Sequence, residues 1–216
     1  MSGVASAFFL TFAGLFPIVN PIEGAPFFLG LTAHLSSAER QVLARKVAIN
    51  GFALLIGSMV LGPYLLEFFG IQLPMVRIAG GFVVAALGWK LLTQEQWSDH
   101  ADGVGTPDSG KKVGSFYPLT MPMTVGPGSM SVAITIGSRK QPGLAKLLLV
   151  EHATGALLGV VAIGLSIYVA YRFAETIGRV LGATGIEVLV RLSAFILMCI
   201  GIEIMWNGYT ELTSVH

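Results

Sequence analysis

Apolar positions fall into six long runs separated by short polar segments: Val4 to Leu31, Val47 to Phe69, Leu73 to Leu92, Gly114 to Ile136, Leu144 to Tyr171 and Ile186 to Trp206. A hydrocarbon core of ~30 Å takes ~20 helical residues, so each run predicts a transmembrane helix. Between the third and fourth runs the chain turns polar, with Asp99, His100, Asp102, Pro107, Asp108, Lys111 and Lys112, and predicts a mobile linker. The expected fold is therefore all-α: a polytopic membrane protein with a three-helix unit at 1–93, a polar cytoplasmic linker at 94–113 and a second three-helix unit at 114–216.

The two units repeat one another. Pro17, Pro21 and Pro26 recur as Pro118, Pro122 and Pro127 at a constant offset of 101, in Phe16-Pro-Ile-Val-Asn-Pro-Ile-Glu-Gly-Ala-Pro26 and Tyr117-Pro-Leu-Thr-Met-Pro-Met-Thr-Val-Gly-Pro127. The offset persists at Leu43-Ala44-Arg45 and Leu144-Ala145-Lys146, which favours duplication of a larger unit. A unit that crosses the membrane three times leaves its copy to start on the opposite side, so the halves are expected to be inverted repeats, a common transporter design. Arg77 and Arg191, each near the start of its half's third helix, fit the same scheme with an offset of 114, one connection having grown.

Composition agrees with the bilayer as solvent: 54% of residues are hydrophobic, 12% are charged, and mean hydropathy is +0.75. A net charge of +1 offers no basic field for nucleic acid. The N-terminus lacks a basic n-region, and its apolar run to Leu31 reads as a retained span. Cys199, the only cysteine, is expected to be a small core residue; alone it excludes an intrachain disulfide, a thiolate zinc cluster and dithiol redox cycling. Arg40, Arg45, Lys46, Lys90, Lys111, Lys112, Arg172 and Arg179 lie on one side against Arg139, Lys140 and Lys146 on the other, which places the first side in the cytoplasm and both termini outside. Trp89, Trp206, Tyr168, Tyr171 and Tyr209, near helix ends, are expected in interfacial belts.

The prolines carry the candidate chemistry. Pro21 and Pro26 free the carbonyls of Pro17 and Ile22, and Pro122 and Pro127 free those of Pro118 and Met123. Irregular backbone at membrane depth persists where protein or a wet cavity satisfies it. Val113 to Pro122 spans about half the hydrocarbon thickness, so the second break is expected near the midplane, after a half-helix. Beyond each break a new helical turn is expected to present free N–H groups, from Gly24 and Ala25 in one half and from Gly126, Gly128 and Ser129 in the other. Freed carbonyls beside such N–H groups suit a small zwitterion, with Asn20, Thr120 and Thr124 flanking and Glu23 available to an ammonium group. Glu23, Glu151 and His152 are candidate proton carriers, because ionisable groups inside a membrane default to function. The competing readings are plain kinks for the prolines and structural caps for the ionisable groups. Structural roles are expected for Arg77, Arg191, Glu187 and Glu203, with Glu187 pairing Arg191 at i,i+4, and adaptable packing for Met121, Met123 and Met130.

These two proline segments resemble the signature segments of the MarC family, and the resemblance spans the chain. It implies a bacterial or archaeal inner-membrane protein, and, through an archaeal relative, proton-driven transport of small neutral amino acids such as glycine and alanine. Carried over by residue, it marks Asn20, Pro21, Gly24, Pro118, Pro122, Gly126, Pro127 and Gly128 as the heart of the breaks. Family members more often read Asn-Pro-x-Gly, whereas Glu23 takes that glycine's place here, which suits an ammonium group, a proton or sodium.

The leading expectation is thus a symporter of small amino acids, with membrane lipids, the solute and a proton or sodium as partners and with no cofactor or metal. An intramembrane enzyme is disfavoured: the chain has no His-Glu-x-x-His, no paired aspartates and no serine with an evident base. A non-transporting scaffold or an exporter of another small solute are the alternatives. Small-residue faces at Gly80-Gly81 and at Gly155 with Gly159 permit packing either between chains or within one.

Overall fold

A computed structural model of the chain describes residues 3–93, 114–138 and 146–214. The linker expected at 94–113 lies outside the described residues. The helices are α1 (Gly3–Val19), α2 (Pro21–Leu31), α3 (Ser37–Phe69), α4 (Leu73–Thr93), a π-helical turn (Leu119–Thr124), α5 (Pro127–Gly137), α6 (Lys146–Arg172) and α7 (Ala174–Thr213). Among the described residues, five stretches are long and apolar enough to cross a membrane: Gly3–Leu31, Ser37–Phe69, Leu73–Thr93, Val150–Arg172 and Thr184–Thr213.

The fourth apolar run departs from expectation. Among the described residues no straight half-helix precedes its break; instead a turn closed by the Gly114–Pro118 bridge leads into the π-helical turn. Pro118 and Pro122 cannot donate, and the residue before a proline is pushed out of the α region. Met121 accordingly sits at φ −117°, ψ 124°, and the peptides before both prolines are cis. The chain then stays extended through Val125 and Gly126 before α5 begins at Pro127.

Helix ends elsewhere follow local chemistry. α3 begins ten residues earlier than the apolar run suggests, because Ser36 and Glu39 form a reciprocal capping box. It ends at Gly70, whose φ of 66° favours glycine. α7 likewise starts at Ala174 rather than near Ile186, with one interruption at Gly182 (φ 62°, ψ 178°), a conformation open essentially to glycine alone.

Packing runs between the two units far more than within either. α4 lies along α7, α1 along α6, and α3 against both α5 and α6, while α2 touches α6 and α7. The main pairings are reciprocal: exchanging α1 with the π-helical turn, α2 with α5, α3 with α6 and α4 with α7 maps these contacts onto one another, the small α1–α7 and α6–α7 contacts excepted. Small residues set the closest approaches. A Cβ added at Gly81 would lie 2.6 Å from the Gly201 carbonyl, and one at Gly208 2.8 Å from that of Pro74, so α4 and α7 run antiparallel. A Cβ at Gly155 would meet Ala7 at 2.7 Å, one at Gly159 would meet Thr11 at 2.8 Å, and Gly3 faces Glu151, so α1 and α6 run parallel. Both small-residue faces singled out in the sequence are therefore used inside one chain.

The buried core, including Leu15, Val19, Ala25, Phe28, Leu55, Leu119, Val125, Ile163 and Ile167, wraps the two breaks. Large apolar side chains cover the outside, Phe68 at 82% exposure among them, as suits a lipid-facing surface. Cys199 belongs to that exposed surface, correcting the expectation of a core position: a thiol is apolar enough to face hydrocarbon as readily as protein. Arg191 pairs with Glu187 at 2.9 Å as the spacing predicts, and Arg77 reaches Glu211 across the α4–α7 seam.

Candidate functional site

The first break is a one-residue kink. Asn20 adopts a left-handed conformation (φ 41°) between α1 and α2, and Pro21 opens α2 at its first position. The Asn20 side chain accepts from the Glu23 N–H at 3.4 Å and donates back to the Glu23 carboxylate. The Gly24 N–H bonds the Asn20 carbonyl at 3.1 Å. The expectation that Gly24 and Ala25 begin a turn with free N–H groups is thus corrected: the helix starts three residues sooner because an asparagine can both turn the chain and cap the helix that it opens. Pro17 and Pro26 lie inside α1 and α2. Glu23 is buried, 5% exposed, with its carboxylate turned to Asn20.

The second break is unwound in earnest. Its carbonyls find partners five residues on: Met121 N–H bonds Phe116 at 2.8 Å, Val125 N–H bonds Thr120 at 2.8 Å, and Met123 N–H reaches Pro118 at 3.4 Å, so the Pro118 carbonyl is not left free. Thr120 and Thr124 add side-chain donors, to the Ser115 and Leu119 carbonyls at 2.6 Å each. At the start of α5, Gly126 has no side-chain cap. The first intrahelical bond is from Met130 N–H to the Gly126 carbonyl, which leaves the Gly128 and Ser129 N–H groups at the positive end of the helix. Gly128 also serves packing, since a Cβ there would run into Val84 of α4. Ser129 is buried and bonds the Gly126 carbonyl at 2.9 Å.

Tyr171 joins the breaks, and sequence reasoning missed it. Its position beside Arg172 at the end of an apolar run suggested an interfacial ring, yet it is only 2% exposed, stacked on Phe28 with ring centroids 4.6 Å apart. Its hydroxyl lies 2.8 Å from Thr124 Oγ1. Because the Thr124 proton is given to the Leu119 carbonyl, Tyr171 is the donor. On the other side, a Cβ at Gly24 would fall 2.5 Å from the same hydroxyl. Gly24 of the first break and Thr124 of the second therefore meet on one oxygen. Gly51 of α3 completes the contact, facing Val125 and Ile167. Trp89, Trp206 and Tyr209 are exposed near helix ends, as expected of a belt.

Glu151 and His152 are not part of this cluster. They lie beside Gly3 at the opening of α6. Twenty helical residues separate Glu151 from Tyr171, a span of roughly 30 Å at ~1.5 Å per residue. Beside Tyr171, by contrast, a cavity of about 50 Å³ opens between α2, the start of α3 and the start of α7.

A family profile described as MarC family integral membrane protein matches residues 5–213. The chain is 31% identical over 214 residues to the UPF0056 inner membrane protein MarC of Escherichia coli O1:K1 / APEC, covering 94% of this chain and 93% of that one. To the protein of the same name from Citrobacter koseri it is 30% identical over 207 residues, with the same coverage. No solved structure matches the chain. Matched over nearly its whole length and built from apolar helices around two proline-marked breaks, the chain belongs to the MarC family of integral membrane proteins.

Proposed function

We propose that the protein is a secondary transporter that moves small neutral amino acids, glycine and alanine in size, across the inner membrane by alternating access around its two helix breaks. The observation that carries this reading is the convergence of Gly24 and Thr124 on the Tyr171 hydroxyl. Beside it, the uncapped start of α5 offers the Gly128 and Ser129 N–H groups to a carboxylate. Glu23, the ionisable side chain of the first break, suits the ammonium group or the coupling ion, proton or sodium.

Inversion of the two halves is part of the proposal. Antiparallel α4 and α7, parallel α1 and α6, and the reciprocal contact pattern are what two three-helix units of opposite orientation would give. The segment at 114–138 then makes the sixth crossing as a broken helix. Named relatives are inner membrane proteins, and the lysine and arginine count puts the end carrying Arg40, Arg172 and Arg179 in the cytoplasm.

The test is uptake of labelled glycine and alanine by purified protein in liposomes under imposed proton or sodium gradients. Saturable uptake that one gradient stimulates, and that Glu23→Gln and Gly126→Leu each reduce at least tenfold, is the expected result. Absence of uptake by well-folded wild-type protein across the small amino acids would end the proposal.

A further inference from the structure

The cavity beside Tyr171 has a mouth built from charge of both signs. Arg40, near the start of α3, pairs with Glu175 in the first turn of α7, and Ser37 Oγ donates to the same carboxylate at 3.2 Å. Arg40 is held from behind by two bonds to the Leu35 carbonyl, at 2.8 and 3.3 Å. Leu29 and Tyr171 line the cavity, whose wall also includes Gln41. Its volume of about 50 Å³ accommodates several waters at ~10–15 Å³ each.

Glu175 stands on a short arm. Residues 174–181 form the first two turns of α7 and are set off from the remainder by the Gly182 interruption. The arm rests on α2, where a Cβ at Gly178 would touch Leu29 at 3.5 Å, and it is seated by Ala174 and Ile177. A single glycine in an extended, positive-φ conformation, with open space where a Cβ would stand, is where such an arm can pivot.

We propose that this cavity is the access vestibule of the solute site and that the Arg40–Glu175 pair, carried on the 174–181 arm, is its gate. The gate rests on the transport reading of the two breaks. It adds the mouth's ligand class: a small zwitterion, whose carboxylate takes Arg40 and whose ammonium group takes Glu175 as the two part. Tyr171 lines the vestibule, and the hydroxyl of the same residue meets Thr124 and Gly24, so the mouth and the contact that holds both breaks together share one side chain.

The test uses full-length protein with Cys199→Ser and Leu29→Cys, in vesicles of both orientations, treated with a membrane-impermeant maleimide. Arg40→Gln or Glu175→Gln is expected to speed labelling at position 29 at least fivefold from the side bearing the arm, and the charge-swapped double variant Arg40→Glu with Glu175→Arg to restore slow labelling. Gly182→Ala, which resists the pivot conformation, is expected to change the labelling rate while the protein still elutes as a folded species. Millimolar glycine should accelerate labelling with the pair intact; acetate or methylamine should not. Rates indifferent to both neutralisations overturn the gate, and indifference to glycine overturns the ligand class. Pair-dependent labelling in a protein that carries no amino acid would instead sink the transport reading and leave the gate standing.

Discussion

Replacing Gly24 by alanine puts a methyl group where the Tyr171 hydroxyl already is. The added Cβ would lie 2.5 Å from Oη, 3.2 Å from Cε1 and 3.3 Å from Cζ. The ring contacts are tight but tolerable; the hydroxyl contact is not, so the ring must move, and the bond to Thr124 goes with it. Overpacking of this kind costs about 1–3 kcal/mol, and loss of the hydrogen bond about 1 kcal/mol more. The better helix propensity of alanine returns about 1 kcal/mol. Tyr171→Phe alone should cost about 1 kcal/mol, the net worth of a buried hydrogen bond. In the Tyr171→Phe background, however, Gly24→Ala meets no hydroxyl, and its cost should fall close to zero. The cycle therefore predicts a favourable coupling of about 1–3 kcal/mol. For a chain of this size each kcal/mol moves Tm by about 2–4 °C, which thermal unfolding in detergent resolves. Additive shifts in the double variant would refute the close approach of the two breaks on Tyr171.

Thr124→Val keeps the shape but removes both hydroxyl bonds and leaves the Tyr171 hydroxyl buried without its acceptor; stability should fall by about 1–3 kcal/mol, read as a Tm loss in the same assay. Asn20→Ala should cost about 1–3 kcal/mol through the lost cap and the left-handed backbone, whereas Asn20→Gly, which accepts a φ of 41°, should recover most of it. Gly81→Ala drives a methyl into the Gly201 carbonyl and should destabilise by about 1–3 kcal/mol with little effect on residual transport per folded molecule. Glu151→Gln and His152→Gln, far from the breaks, should leave the gradient dependence of uptake unchanged in liposomes; loss of coupling in either would return them to the site.

Much of the architecture was legible because the membrane imposes it. Run length found the long apolar helices, and the doubled prolines located both breaks to within a few residues. The local form of the breaks was not legible. Proline says that an α-helix is interrupted, but the same residue type gave a single left-handed kink at Asn20, where a side chain caps the next turn, and a π-helical stretch at Leu119–Thr124, where two threonines supply the missing donors. Tyr171 was hidden for a related reason: beside Arg172 it has the sequence context of an interfacial ring, and only the approach of α2 and the second break buries it. Glu151 and His152 drew attention as ionisable residues in an apolar run, but depth along the helix was not legible, and the structure sets them beside Gly3 at the opening of α6, away from both breaks. The reach of α7 back to Ala174 was also missed, since residues 174–181 are too polar to count as span.

Whether the two breaks line a water-accessible solute path is decided by thiol labelling at Thr124→Cys and Ser129→Cys in a Cys199→Ser background. Both side chains are buried, so if the proposed transport holds, slow but measurable reaction with impermeant reagent is expected from each face of the membrane, slowed further by glycine. Cysteines inert from both faces, with the protein folded and glycine present or absent, would show that the breaks are dry helix contacts and carry no solute.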